Sequence, residues 1–197
     1  MSKLDAAPRV VVFAGPNGAG KSTHAEAILA SLGIETFVNA DYIARGLSGG
    51  NTEAVAFEAG RIMLRRLRQL GQAREDFAFE STLASLSFAP FLRGLKVDGY
   101  RVAVHYFALA SPFLAVRRVK LRVAMGGHNV PAEVVHRRFH RSVSNFFKLY
   151  APLADEWSVY DNSANVMAEL LADFDGASVV VRTPQTWQRL QTLATAR

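Results

Sequence analysis

The sequence predicts an α/β fold, a parallel sheet covered by helices on both faces. Three observations carry that expectation. Short apolar runs alternate with stretches of helical period along the whole chain, the pattern of strands joined by crossover helices. The connections between them are short, with no internal repeat, low-complexity tract or linker. The first apolar run, Val10-Val11-Val12-Phe13-Ala14, leads through a glycine-rich turn directly into a helical stretch beginning near Thr23. That turn reads Gly15-Pro16-Asn17-Gly18-Ala19-Gly20-Lys21-Ser22, and a GxxxxGK[ST] pattern between a strand and a helix is a phosphate-binding loop. The fold class is therefore the P-loop NTPase type. Residues 1–197 read as one such domain, with 112–150 forming a helical, arginine-rich lid.

The loop residues suit their chemistry. Glycines let successive backbone N–H groups converge on a phosphate, and the following helix adds unpaired donors and the positive end of its dipole. Gly15, Pro16, Asn17, Gly18, Ala19, Gly20, Lys21, Ser22 and Thr23 are the expected ATP contacts. Lys21 can face the β- and γ-phosphates, and the Ser22 hydroxyl can ligate Mg²⁺.

Composition sets the bounds. At 197 residues, 50% hydrophobic and 20% charged, the chain can bury a full core without covalent staples. It contains no cysteine, which excludes disulfides and thiolate metal sites and is compatible with a reducing cytoplasm. No apolar run approaches the ~18 residues of a membrane span, and no secretory signal pattern precedes the first strand. The expectation is a cytoplasmic protein that does not engage a membrane. The net charge is +6, and between Arg117 and Arg141 six arginines and one lysine face a single acid, Glu133. That window carries the whole excess. Confinement to one segment argues for phosphate handling rather than for a nucleic-acid surface.

The remaining elements follow in order. The first helix ends near Leu32, with Gly33 closing it. Thr36 to Asn39 reads as a second strand, so Asp41 falls just past a carboxyl end, where open α/β sheets bind ligands. Asp41 could equally serve as a helix N-cap. Leu47-Ser48-Gly49-Gly50 echoes the signature of ABC transporter ATPases, but it follows the P-loop too closely and is read as a turn. Thr52 to Leu70 has helical period, with Ala56, Gly60, Met63, Leu64, Leu67 and Leu70 on the apolar side. Asp76 to Glu80 reads as a third strand, leaving Glu80, Ser81 and Thr82 at its end.

A helix over Phe88 to Val97 exits through Asp98-Gly99, and Arg101 to Leu109 is the strongest strand. Ser111-Pro112 is an N-cap followed by Pro at the first helical position, and that helix carries Arg117, Arg118 and Arg122. Met125-Gly126-Gly127 stops it, and His128 is a candidate contact in the turn. The next helix runs from Pro131 to about Tyr150, with Val135, Phe139, Val143, Phe146 and Tyr150 inward and Arg137, Arg138 and Arg141 off that side. Helix, glycine break and helix, with arginines on both limbs, is the form of a hinged phosphate lid. Glu156 to Tyr160 reads as a strand, Val166 to Phe174 as a helix, Ala177 to Arg182 as the last strand and Pro184 onward as a helix.

These parts suffice for phosphoryl transfer to an alcohol: a phosphate cradle, Mg²⁺, a carboxylate for the acceptor's proton and cations on the moving phosphoryl group. They also leave open a non-kinase P-loop ATPase in a regulatory or nucleic-acid-associated role.

The stretches AGPNGAGKST (14–23), FVNADYIA (37–44), AFEAGR (56–61), FAFESTL (77–83), GYRVAVHYFALASP (99–112), RVKLRV (118–123), GGHNVP (126–131) and YDNS (160–163) together resemble the zeta-toxin family of P-loop kinases, in its shorter branch labelled "predicted ABC-type ATPase". The resemblance implies ATP and Mg²⁺ as cofactors and a hydroxyl of a nucleotide sugar, UDP-N-acetylglucosamine in the well-studied toxins, as acceptor. A different metabolite or a dinucleotide is the alternative acceptor. An antitoxin protein that occludes the nucleotide site is the implied partner. Residue by residue, Lys21 and Ser22 match the nucleotide- and metal-binding pair, and Asp41 the catalytic aspartate. Asn39 and Asp41, with Glu80 and Thr82 of the Glu-x-Thr element, match the acceptor-binding positions, although Ser81 replaces a more usual glycine. The lid differs more. One phosphate arginine corresponds to Arg118 or Arg122, and where the larger toxins carry the second, this chain has Gly127-His128. Arg137, Arg138 or Arg141 would then supply that charge, and Arg138 completes the expected catalytic set of Asp41, Lys21, Arg118 and Arg122.

Overall fold

The computed structural model describes residues 7–48, 55–127, 129–164 and 167–195. His128, Gly49, Gly50 and Thr52, each singled out in the sequence, lie outside these ranges. The elements are β1 (Arg9–Ala14), α1 (Lys21–Leu32), β2 (Phe37–Val38), α2 (Ala40–Ser48), α3 (Ala56–Gln72), β3 (Phe77–Ser81), α4 (Phe88–Val97) and β4 (Arg101–Ala108). They continue with α5 (Pro112–Ala124), α6 (Ala132–Asn145), β5 (Glu156–Asp161), β6 (Glu169–Phe174), β7 (Val179–Val181) and α7 (Pro184–Thr195). The fold is α/β. One sheet runs β2-β3-β1-β4-β5-β6-β7.

The unbroken apolar run of β1 follows from its place in this order. It lies between β3 and β4, parallel to both, and Val10 to Ala14 are buried on both faces. Register brings Phe13 beside Glu80 and Ala14 beside Tyr106. The loop after β1, the end of β3 and the end of β4 therefore meet at one edge, and β2 brings Asn39 and Asp41 to that edge from the far side of β3.

β6 and β7 run antiparallel to their neighbours, so the sheet is mixed, and Glu169–Phe174 is a strand where the sequence suggested a helix. Its short apolar run fits either period. Topology decides between them. A parallel return would need a crossover of about a dozen residues or more, whereas the chain turns back directly from Asp161, which pairs with Glu169. The antiparallel pair positions Phe174 and, through α7, Trp187 to stack on Trp157. On α3, Ala59, Met63, Leu67 and Leu70 are buried, so the inward stripe passes through Ala59 rather than Ala56 or Gly60.

α5 and α6 form a helical hairpin. Ser111 caps α5 by accepting from the Leu114 N–H, with Pro112 next to it. All five expected apolar residues from Val135 to Tyr150 are buried. Past Asn145 the helix widens to a π-turn over Phe146–Tyr150, which seats Phe146 on Tyr106 at 4.4 Å between ring centres. The Tyr150 hydroxyl donates to the Ser85 carbonyl and Asn145 Nδ2 to the Leu83 carbonyl. Leu83 is buried at φ 54, an uncommon backbone for a branched residue. The loop leaving β3 is thus held in shape from α6.

His105 lies in β4 with its ring stacked between Phe13 and Tyr160. Burial pushes its pKa down to about 4 from 6.5. The unfolded chain therefore binds the extra proton first, and stability is lost as pH falls through that window. We expect His105→Phe, which keeps a ring in the stack, to reduce the loss between about pH 6.5 and 4 seen in urea unfolding; the neutral ring removes a contribution approaching ~1.4 kcal/mol per pH unit. An unchanged pH profile would contradict the burial argument.

Candidate active site

Gly15, at φ 136, passes so close to β4 that a Cβ would lie 2.2 Å from the Phe107 carbonyl oxygen. Gly18 packs against Ala115 and Arg118 of α5. Gly20 is the left-handed residue at the start of α1, and a Cβ there would meet Asn162 Nδ2 at 2.4 Å. Between them the loop closes on itself, with the Ala19 N–H donating to the Pro16 carbonyl at 3.2 Å. Asn17 lies in this turn, and Thr23 is in the first turn of α1. The N-terminus of α1 has no acid in its first turn to compete for its orphan donors, which suits an anionic ligand.

Lys21 is only 5% exposed despite its charge. Its Nζ donates to the Pro16 carbonyl at 3.1 Å and lies 3.5 Å from Glu80 Oε1. The other carboxylate oxygen of Glu80 accepts from Ser22 Oγ at 2.5 Å and from Asn39 Nδ2 at 2.9 Å. Glu80 thus touches Lys21, Ser22 and Asn39 together. The resemblance groups Glu80 with the acceptor-binding residues, and its contacts join Asn39 of that group to Lys21 and Ser22 of the phosphate loop. Strand order was the signal that could have found this, because β3 pairs directly with β1.

Asn39 does two jobs from a buried position. While Nδ2 binds Glu80, Oδ1 accepts from the Asp41 N–H at 2.7 Å, and its carbonyl accepts from Ile43 N–H. It is therefore the N-cap of α2. The capping alternative weighed for Asp41 is filled by its neighbour, and the Asp41 carboxylate is directed elsewhere. It lies 3.9 Å from Arg122 Nη1. Arg138, from α6, also feels it: burial and the charge of Arg137 lower the Arg138 pKa, and Asp41 opposes them. Arg122 thus pairs with Asp41 from α5, and Arg138 on α6 lies within electrostatic range of it.

Arg118 is placed differently. Its guanidinium donates to the Asn162, Ser163 and Ala164 carbonyls at 2.6, 3.2 and 3.1 Å. It joins α5 to the end of β5, beside Gly18 of the loop. Thr82 begins the segment after β3, its Oγ1 accepting from Ala84 N–H at 3.4 Å. Asn162 is the residue the sequence reading missed, though it lies in the quoted stretch YDNS. Its buried side chain donates to the Ala19 carbonyl at 2.8 Å, and its own N–H donates to the Ala108 carbonyl at 3.0 Å.

The close approach of Gly20 to Asn162 has a measurable consequence. Gly20→Ala and Asn162→Ala should each cost about 1–3 kcal/mol, the first through a Cβ at positive φ and the clash, the second through an unpaired Ala19 carbonyl. In urea unfolding the double variant should lose less than their sum by at least ~0.5 kcal/mol. Strict additivity would mean that the two residues do not press on each other.

Comparison with known proteins places this geometry. The sequence profile of the family described as "Zeta toxin" matches residues 2–168. An uncharacterised protein of Haemophilus influenzae is 26% identical over 134 residues, 66% of this chain and 92% of that one. The fold matches the AvrRxo1-ORF1:-ORF2 crystal structure with ATP at a TM-score of 0.78 and 15% identity, covering 98% of this chain and 66% of that chain. It also matches the PezAT chromosomal toxin-antitoxin system of Streptococcus pneumoniae, at a TM-score of 0.62 and 14% identity, over 98% of this chain and 89% of that one. With most of its length inside the family profile and the phosphate loop intact, the chain belongs to the zeta-toxin family.

Proposed function

We propose that this phosphotransferase moves the γ-phosphate of ATP to a hydroxyl group of a nucleotide sugar of the UDP-N-acetylglucosamine class. The observation that carries the reading is the convergence of Lys21, Ser22, Glu80, Asn39 and Asp41 at one sheet edge, with arginines of a helical hairpin on the same aspartate. The loop N–H groups and the α1 N-terminus bind the phosphates, and Lys21 supplies the charge beside the β- and γ-groups. Ser22 Oγ and the Glu80 carboxylate form an oxygen-only donor pair beside the loop, which fits Mg²⁺ bound through one or two protein oxygens together with substrate phosphates and water. When bound, that ion would neutralise charge on the phosphates.

Asp41 orients the acceptor hydroxyl and takes its proton as the new P–O bond forms and the bond from the γ-phosphorus to the β–γ bridging oxygen breaks, so that ADP leaves and the proton rests on the carboxylate. Arg122 stands beside that carboxylate, Arg138 lies within its electrostatic range, and both can turn to the transferring phosphoryl group, while Arg118 holds α5 against the loop. Asn39 fixes the backbone of Asp41, and Thr82 with Glu80 borders the acceptor side. The AvrRxo1 and PezAT structures are complexes of two proteins, and an antitoxin-like protein is the proposed partner class here. The chain spans 66% of the AvrRxo1 chain, and another hydroxyl metabolite or a dinucleotide as acceptor is the second reading.

Two variants test the assignment. Lys21→Ala should lose most ATP affinity in calorimetry while remaining folded. Asp41→Asn keeps shape and leaves the Asn39 cap in place, so ATP binding and melting temperature should hold while phosphomonoester formation, followed by ³¹P NMR with ATP, Mg²⁺ and UDP-N-acetylglucosamine, falls roughly a hundredfold or more. If Asp41→Asn lost stability and kept its rate, the general-base role would be wrong.

A further inference from the structure

α5 has two working sides. Arg118 and Arg122, one turn apart, face the site, and Pro112, Ala115 and Val119 are buried beneath the helix. The side opposite these buried residues carries Phe113, Leu121 and, at the C-cap, Met125, which are 77%, 57% and 81% exposed. With Arg117 between them these residues recur every four positions, so they form one continuous ridge on the helix. A single exposed apolar side chain is ordinary; three large ones in line on an outer helix face mark an interaction surface. Phe113 extends the ridge onto α6, meeting the His136 ring edge-on at 6.0 Å.

The charge around the ridge is mostly positive. Arg117 and Lys120 are exposed on α5, Arg137 and Arg141 are exposed on α6, and Glu133 is the one acid between Arg117 and Arg141. These cations are separate from Arg122, which pairs with Asp41. An apolar ridge bordered by cations is complementary to an amphipathic helix with apolar residues at i, i+4 and i+7 and flanking carboxylates.

We propose that the outer face of α5 is the docking surface for an acidic amphipathic helix of a partner protein. The proposal rests on the reading that the chain works with a protein partner, and it adds the surface and the chemistry that recognises it. Because Arg118 and Arg122 lie on the flank of α5 next to this ridge, a helix seated there would bear on the arginines of the site without entering the phosphate loop.

The test uses a displayed library of 20-residue helical peptides selected on the immobilised full chain. Enriched peptides should be acidic with apolar residues one turn apart. Phe113→Ser with Met125→Ser, both exposed and outside the catalytic set, should weaken their binding at least tenfold, with an unchanged melting temperature and unchanged ATP affinity. Charge reversal at Arg117→Glu should also weaken binding and make it insensitive to salt. Peptides that bind the variants as tightly as the parent would overturn the surface while leaving a partner elsewhere. No enrichment at all would overturn both the surface and the partner reading. Equal, variant-sensitive binding to phosphatidylserine vesicles would make the ridge a membrane contact, and variant-sensitive self-association in sedimentation would make it a dimer face; either result overturns the proposal.

Discussion

One carboxylate ties the site together. Glu80 accepts from Ser22 and Asn39 and pairs with Lys21, all within 3.5 Å. Lys21 is buried, and a buried ammonium requires a paired, hydrogen-bonded partner. The pairing is possible only because β3 lies against β1 in a register that sets Glu80 beside Phe13, at the mouth of the loop. Through Asn39 the same carboxylate is connected to the cap of α2 and so to the backbone of Asp41. The phosphate loop and Asp41 are therefore held by one short chain of hydrogen bonds. Its members come from three separate strand ends, so the whole sheet order is needed to assemble it.

A second layer is electrostatic and comes from outside the sheet. The positive charge concentrated between Arg117 and Arg141 has a structural division of labour. Arg118 is occupied by main-chain carbonyls just past the end of β5, whereas Arg122 pairs with Asp41 and Arg138 feels its charge. Arg122 forms a loose ion pair with the aspartate across partly exposed space. Arg118 ties α5 to the segment after β5, beside Gly18 of the loop.

Much of this was legible in the sequence because it is local. The P-loop pattern, the Ser111-Pro112 cap and the inward side of α6 each follow from spacing over a few residues, and the structure has all three. The strand at Glu169–Phe174 was not, because a short apolar run fits two periods and only the direct return from β5 distinguishes them. The cap of α2 was not legible as Asn39: Asn and Asp have similar capping chemistry, the sequence offered capping only as the alternative role of Asp41, and Asn39 takes it while also closing a bond to Glu80. Asn162 was invisible for a different reason. Its role is a packing contact with Gly20, 142 residues away in the chain, and neither local period nor composition encodes such a contact.

The account turns on where the γ-phosphate goes. ATP labelled in its γ-phosphoryl group, incubated with the protein, Mg²⁺ and a small-molecule extract of bacterial cells, should transfer the label to an organic phosphomonoester identified by mass spectrometry. Transfer should depend on both Lys21 and Asp41, with little inorganic phosphate released when acceptor is absent. Label found only in inorganic phosphate, at a rate indifferent to the extract, would contradict it and make the chain an ATPase instead.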